Sequence, residues 1–140
     1  MALLSLKDAS LSFGGRPLLD EVEFHIERGD RICLLGSNGT GKSSMLRILA
    51  GETKPDEGEV ICSPGLKVGC LPQQVPTGVQ GRVLDIVLSG EDHDHHGTVA
   101  LDATQMISRL KLDPEADFAT LSGGTRRRVL LAKTLMVQPD

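Results

Sequence analysis

The stretch RICLLGSNGTGKSSMLRILA, which covers Arg31–Ala50, joins a short apolar run, a glycine-rich turn and a helix-forming segment. The turn matches the pattern G-x-x-x-x-G-K-[ST] completely, with Gly36, Gly41, Lys42 and Ser43 in its fixed positions. In this pattern the backbone N–H groups of the turn and the positive end of the following helix converge on an anion. The stretch therefore predicts a phosphate-binding loop at the carboxyl end of a strand.

The residues of this loop have separate predicted roles. Ile32–Leu35 is a continuous apolar run, typical of a strand buried on both faces of a parallel sheet, which would hold the loop rigidly. Lys42 directs a full positive charge toward the β- and γ-phosphates, and the Ser43 hydroxyl is placed to bind Mg²⁺. The alternative for this stretch alone is a structural turn between a strand and a helix. The residues predicted to contact phosphate are Gly36, Ser37, Asn38, Gly39, Thr40, Gly41, Lys42, Ser43 and Ser44.

Composition limits the class of protein. The chain has 140 residues, 39% of them hydrophobic and 24% charged, as expected of one ordinary soluble domain or a piece of one. The net charge of −4 argues against a free-standing nucleic-acid binder. We expect neither a signal peptide nor a spanning helix, because the apolar runs are short. The three cysteines lack C-x-x-C spacing, and the apolar neighbours of Cys33 predict a buried thiol in a reducing, cytoplasmic compartment.

Hydrophobic patterning predicts further elements on both sides of the loop. Alternation of apolar and polar residues predicts strands, and amphipathic spacing predicts helices. The predicted strands are Leu3–Phe13, Glu21–Glu27, Glu59–Cys62 and Leu66–Leu71, and the predicted helices are one from Lys42 to before Gly51, Val83–Leu88, Val99–Leu110 and one after Leu121. Gln73 follows a predicted strand end, where ligands of α/β sheets collect, although a glutamine there is usually only a loop residue.

Phe13 has two possible roles. It is one of three phenylalanines in a chain without tryptophan or tyrosine. The ring either fills the core or offers a flat face on which an adenine ring can stack. The sequence leaves both open.

The segment Gly90–Gly97 contains three histidines and three carboxylates. This composition allows a metal site. However, glycines flank the segment and no apolar frame would fix the geometry of the ligands. We therefore expect a solvated loop.

The stretch Leu121–Arg128, LSGGTRRR, precedes an apolar helical pattern. A serine and two glycines at a helix start predict a second anion-binding site. The three arginines that follow are either a solvated charged face or a basic first turn suited to a phosphate-rich or RNA-facing partner.

Together, these motifs resemble the N-terminal part of an ATP-binding cassette (ABC) ATPase domain. Four elements occur in the order typical of that family: an aromatic residue, Phe13; the Walker A loop, Gly36–Ser43; the Q-loop glutamine, Gln73; and the signature LSGG, Leu121–Gly124. The resemblance implies an α/β fold of the P-loop NTPase type, with an antiparallel β subdomain, a parallel sheet and a helical signature subdomain, truncated before the Walker B strand. It implies a nucleotide-binding core over residues 1–75 and a helical subdomain over residues 76–140.

The resemblance also implies roles for individual residues. Phe13 would stack on adenine, Lys42 and Ser43 would hold phosphates and Mg²⁺, and Gln73 would sense Mg²⁺ and the attacking water. The signature would contact the γ-phosphate of ATP bound to a second cassette, because the family places ATP between two cassettes. The signature residues are Leu121, Ser122, Gly123 and Gly124.

Within the family, the opening of the chain and its signature are most similar to the soluble F subfamily (ABC-F), whose members contain two cassettes and are associated with ribosomes or DNA. Transporter ATPases more often carry glutamine at the position of Thr125. Two features depart from the subfamily. The interval from Gln74 to Leu121 is too short for a long arm insertion, and the Walker B aspartate and catalytic glutamate have no counterpart.

Three functions are therefore compatible with the sequence. The first is ATP binding as part of a soluble ABC-F-like ATPase that acts on ribosomes, RNA or DNA, without membrane insertion. The second is a piece of a transporter ATPase subunit, and the third is a non-catalytic nucleotide-binding interaction module. In each case we expect the chain alone to bind ATP with Mg²⁺ and to hydrolyse little of it, because the carboxylate that would orient the attacking water is missing. We also expect the chain alone to be unstable, because Ile32–Leu35 would lack its neighbouring strands.

Overall fold

A computed structural model describes residues 2–90 and 99–140 of the chain. Its backbone divides into two compact units, one formed by the residues up to Leu66 together with Asp140 and the other by Lys67–Pro139. The elements of the first unit are the strands β1 (Ala2–Leu11), β2 (Leu19–Glu27) and β3 (Glu57–Cys62) and the helix α1 (Lys42–Leu49). Those of the second unit are the helices α2 (Val83–Leu88), α3 (Val99–Arg109) and α4 (Gly123–Met136) and a 3₁₀ turn, Phe118–Thr120.

The sheet of the first unit has the order β2-β1-β3, and both pairings are antiparallel. Apolar residues of β1 alternate toward a core that also includes Met45 and Ile48 of α1. A helix with two buried apolar side chains one turn apart can cover the apolar face of such a sheet. The antiparallel sheet and the helix after the loop were therefore predicted correctly.

The strand predicted for Ile32–Leu35 was wrong. These residues have no regular secondary structure, and the side chains of Ile32 and Leu35 are 48% and 88% exposed. A strand forms only where a neighbouring strand takes its hydrogen bonds, and no parallel pairing occurs among the described residues. The prediction that Cys33 is buried was also wrong, since its side chain is exposed. Similarly, Leu66–Leu71 forms no strand.

In the second unit, α2, α3 and α4 pack around one apolar core. Phe118 is 2% exposed and lies in this core. The predicted helices at 83–88, at 99–110 and after Leu121 are thus confirmed to within one or two residues.

Arg82 joins three segments of the second unit. Its guanidinium donates to both carboxylate oxygens of Asp85, at 3.0 and 3.2 Å, and to Glu115 at 3.0 Å. The hydrogen bonds to Asp85 and then to Glu115 raise the pKa of Arg82 above its usual value. The backbone of Arg82 also forms an isolated antiparallel bridge with Asp117. These contacts fix the start of α2 beside the turn that leads to the signature.

Candidate functional site

The phosphate-loop segment folds around the ammonium group of Lys42. Lys42 Nζ donates to the carbonyl oxygens of Gly36 and Ser37 at 2.7 Å each and lies 3.5 Å from Thr40 Oγ1. The Thr40 hydroxyl itself donates to the Ser37 carbonyl at 2.8 Å. The loop is therefore curled, with its single cation on the inside of the curve. Charged donors form stronger hydrogen bonds than neutral ones, which makes Lys42 the main internal link of the loop.

The helix α1 begins at the end of this curl without a side-chain cap. Gly41 occupies the N-cap position with φ +93°, no side chain bonds the first-turn N–H groups, and the first turn contains no acidic residue. Uncapped N–H groups and the helix dipole together favour an anion at this point. In addition, a β-carbon at position 41 would lie 3.1 Å from the Leu18 carbonyl oxygen. Glycine is thus required here by conformation and by space.

Phe13 lies in the hairpin turn between β1 and β2, on the same unit as the loop. Its ring is 70% exposed, so it is not a core residue. The turn is closed by a hydrogen bond from Leu18 N to the Leu11 carbonyl at 2.8 Å, and Ser12 N donates to Asp56 Oδ2, just before β3, at 2.7 Å. The returning arm of the hairpin reaches the phosphate loop through Leu18. The exposed ring of Phe13, at the start of the turn, is available for stacking.

The signature residues begin α4 as the sequence predicts. Ser122 is the N-cap, and its Oγ accepts from Thr125 N at 3.2 Å and lies 2.9 Å from Thr125 Oγ1. Gly123 and Gly124 are exposed, with open space where a β-carbon would stand. Leu121 packs partly against the core. A serine-capped helix start with two bare glycines leaves backbone N–H groups accessible to an anion.

Arg126 braces the turn that precedes the signature. Its guanidinium donates to the carbonyl of Phe118 at 3.1 Å and also to that of Ala119. It also lies 5.7 Å from the centre of the Phe118 ring, within cation–π distance. Arg126 therefore holds the approach to Ser122 in place.

The next two arginines also donate to main-chain carbonyls of distant segments. Arg127 Nη2 donates to the carbonyl of Gln73 at 3.2 Å. Arg128 donates to the carbonyl of Leu110 at 3.2 Å and to Thr125 Oγ1 at 3.3 Å. The sequence left only the choice between a solvated charged face and a partner-binding turn. The sequence did not predict that these arginines donate to carbonyls of the same chain, because no local pattern identifies a carbonyl in a distant segment as an acceptor.

Gln73 belongs to the second unit, whereas the phosphate loop belongs to the first. The first unit brings together Phe13, the phosphate loop and the start of α1. The second unit brings together Gln73 and the signature helix.

The residues present suit a Mg²⁺–nucleotide ligand. The curl offers one ammonium and uncapped amides for phosphate oxygens, while the Ser43 hydroxyl is exposed in the first turn of α1. Hard cations such as Mg²⁺ take oxygen ligands and are usually bound jointly with phosphates. This set of one ammonium, backbone amides and a hydroxyl can bind a polyphosphate.

The structure also bears on two other features considered from the sequence, a metal site and a membrane-spanning helix. Within residues 2–90 and 99–140, no group of three or more His, Cys, Asp or Glu side chains could hold a metal ion. The candidate metal residues in Glu91–Gly97 lie outside the described residues. Every helix in the described part of the chain is too short or too polar to cross a membrane.

Comparison with known proteins places the chain in a family. The profile of the family described as "ABC transporter" matches residues 19–140, most of the chain. The chain therefore belongs to the ABC transporter family and is an ATP-binding cassette, or part of one, and the resemblance drawn from its motifs is confirmed.

Two curated relatives illustrate the range of similarity. The ATP-binding protein Uup of Escherichia coli is 33% identical over 175 positions, covering 99% of this chain and 28% of Uup. The zinc import ATP-binding protein ZnuC of Photobacterium profundum is 32% identical over 140 positions, covering 99% of this chain and 53% of ZnuC. The chain thus spans about a quarter of one relative and about half of the other.

Among solved structures, the ATP-binding subunit of an ABC transporter superposes with a TM-score of 0.85 at 18% identity, covering 98% of this chain and 63% of that chain. At this identity the likeness concerns the fold alone. It confirms that the antiparallel sheet and the helices form part of the ABC ATPase fold.

Proposed function

We propose that the chain binds Mg²⁺–ATP through the loop of residues 36–44. The observation that carries this proposal is the position of Lys42, whose ammonium lies inside the curl against the carbonyls of Gly36 and Ser37. An oligophosphate entering the curl meets this cation and the uncapped first turn of α1. Membership of the ABC transporter family supports the same ligand.

Individual residues then have defined roles. Lys42 and the loop amides bind the β- and γ-phosphates, Ser43 supplies an oxygen to Mg²⁺, and Phe13 stacks on the base. Gln73 contacts Mg²⁺ and the attacking water. When bound, Mg²⁺ neutralises part of the phosphate charge. The protein positions the phosphates, and positioning with charge stabilisation is the main contribution that such sites make.

The signature helix acts on a nucleotide held by a second cassette. Ser122, Gly123 and Gly124 form an exposed, serine-capped helix start, which suits the terminal phosphate of such a nucleotide. The second cassette belongs either to another chain or to a longer form of this one.

We expect ATP-dependent association in analytical ultracentrifugation, and Ser122→Arg should reduce it by placing a bulky side chain at the contact. Equal association of the two forms would contradict this role.

We further propose that the cassette is of the soluble F subfamily, works in the cytoplasm and couples ATP hydrolysis to an activity on ribosomes or DNA. The opening segment and LSGGTRRR support this assignment. Similarity to a relative named only for ATP binding is also consistent with it.

Isothermal titration calorimetry with Mg²⁺–ATP tests the binding proposal. Lys42→Ala should remove measurable binding, because it deletes the only cation inside the described curl. Lys54→Ala, which removes an exposed lysine from the same unit, should leave the affinity unchanged. Equal affinities of the wild-type chain and Lys42→Ala would contradict the phosphate-loop assignment. Phosphate release by the chain alone should be close to that of buffer.

A transporter ATPase subunit is the second candidate. Similarity to a zinc import protein favours it. Fractionation of cells that produce a tagged chain separates the two candidates. Co-sedimentation with ribosomes supports the F-subfamily assignment, whereas recovery with membranes supports the transporter.

A further inference from the structure

The segment Gly69–Gln73 lies along α4 and contacts it at both ends. At one end, Arg127 Nη2 donates to the Gln73 carbonyl at 3.2 Å. At the other end, Thr134 Oγ1 donates to the Cys70 carbonyl at 3.3 Å. All these residues belong to the second compact unit.

The spacing of the two contacts indicates a continuous run. Arg127 and Thr134 are seven residues apart on a helix, which corresponds to about 10.5 Å along its axis. Cys70 and Gln73 are three residues apart, which corresponds to about 10 Å of extended chain. The two lengths are similar, and the later residue of the segment is bonded to the earlier residue of the helix, so the segment runs opposite in direction to α4.

Close packing supports the same arrangement. A β-carbon at position 69 would lie 2.9 Å from Thr134 Cγ2 and 3.2 Å from a ring carbon of Pro139. A side chain at position 69 would therefore require Thr134 or Pro139 to shift, and glycine avoids this. The segment is therefore held against α4 at Gly69 and Cys70 as well as at Gln73.

The position of Arg127 relative to the signature gives this run a functional consequence. Arg127 is five residues after Ser122, about 7.5 Å further along the helix axis. The N-cap serine and the carbonyl of Gln73 are thus attached to the first two turns of one helix. A displacement of the start of α4 must carry the backbone of Gln73 with it while the hydrogen bond holds.

We propose that Arg127 is a positioning residue, which fixes Gln73 relative to the signature through the Gln73 carbonyl. This inference rests on the proposed function, in which Gln73 contacts Mg²⁺ and water and Ser122 contacts a terminal phosphate. Arg127 touches neither ligand and acts only through the backbone of Gln73. Arg128 donates instead to the Leu110 carbonyl and to Thr125 Oγ1, so it serves as the comparison for the Gln73 contact.

An NMR measurement tests the contact directly. Gln73–Gln74 is the only Gln-Gln pair in the sequence. Labelling the 140-residue chain with ¹³C,¹⁵N-glutamine therefore gives one backbone HNCO cross peak, which is detected on the Gln74 amide and reports the Gln73 carbonyl, besides the side-chain amide peaks of the glutamines. Arg127→Ala should move the carbonyl shift toward its unstructured value and narrow the line, and Arg127→Lys should retain most of the wild-type shift. Two controls should leave the peak in place: Arg109→Ala, which removes an exposed arginine of α3, and Arg128→Ala.

An unmoved peak in Arg127→Ala, or equal movement in the two controls, would overturn the proposal. Because this measurement needs no nucleotide, it decides the contact even if the chain does not bind ATP. Failure of the proposed function and failure of this inference are therefore distinguishable.

The effect on Gln73 is tested by calorimetry with ATP, with and without Mg²⁺. The ratio of the affinity with Mg²⁺ to the affinity without it should fall about three- to tenfold in both Gln73→Ala and Arg127→Ala, as expected for losing one hydrogen bond of ordinary net strength. The double variant should lose no more than Gln73→Ala alone, because the two residues act in series. Arg127→Lys should recover most of the ratio. Additive losses, or an unchanged ratio in Arg127→Ala, would show that Arg127 does not act through Gln73.

Discussion

Replacing Gly41 by alanine should destabilise the first unit more than an otherwise equivalent change at Gly65. Both glycines belong to that unit and have similar left-handed backbones, with φ +93° and +77°. They differ in their surroundings. A β-carbon at position 41 would lie 3.1 Å from the Leu18 carbonyl oxygen and 3.3 Å from Leu18 Cβ, whereas nothing lies within 4 Å of one at position 65.

The expected magnitudes follow from these two features. A left-handed backbone costs a non-glycine residue about 1–2 kcal/mol, and both variants incur this cost. Pushing a backbone carbonyl aside adds about 1–3 kcal/mol, and only Gly41→Ala incurs it. We therefore expect the free energy of unfolding to fall by about 2–5 kcal/mol for Gly41→Ala and by about 1–2 kcal/mol for Gly65→Ala. The lower entropy of an unfolded alanine offsets both values equally, so it does not affect their difference.

Urea titration followed by far-UV circular dichroism measures both values. Intrinsic tryptophan and tyrosine fluorescence is not an option, since the chain contains neither residue. The two substitutions affect the same unit, so the same transition is compared. Losses equal within about 0.5 kcal/mol, the size of an ordinary surface effect, would refute the close approach of the hairpin to the phosphate loop.

Three further paired substitutions test other parts of the structure, each by the same urea titration. Phe118→Ala should lower the free energy of unfolding by about 3–5 kcal/mol because the ring is buried, whereas Phe13→Ala, with the ring exposed, should change it by less than about 0.5 kcal/mol. Leu6→Ala should cost about 2–5 kcal/mol and Leu35→Ala almost nothing, since they are 0% and 88% exposed, and equal losses would contradict the burial pattern. Ser122→Ala should cost about 1 kcal/mol by removing the cap of α4, and Ser122→Asn should restore most of it; similar losses in both would argue against the cap.

The features predicted correctly from the sequence are those that local chemistry determines. The glycine pattern with Lys42 fixes a curl before a helix, and α1 begins at Lys42 as expected. Likewise, Ser122 caps α4 because its hydroxyl accepts from an N–H three residues ahead, a contact that any helix start can form. Such features need no distant partner.

The features that the sequence did not predict correctly depend on distant residues. The apolar run Ile32–Leu35 carries a strand pattern, yet a strand also needs a neighbour to pair with, and the pattern contains no information about one. In the same way, the run of charge at Arg126–Arg128 gives no sign of the carbonyls to which it donates, one of which belongs to Gln73. The predictions for Phe13, Gln73 and the signature as ligand contacts remain predictions.

The exposed thiols of Cys62 and Cys70 lie on either side of the division between the units at Leu66 and Lys67. A chain with Cys33→Ser would therefore carry two natural attachment points for spin labels or dyes, one in each unit, without any engineered cysteine. Distance distributions between the two probes, recorded while nucleotide is titrated, would show whether nucleotide changes the separation of these two sites.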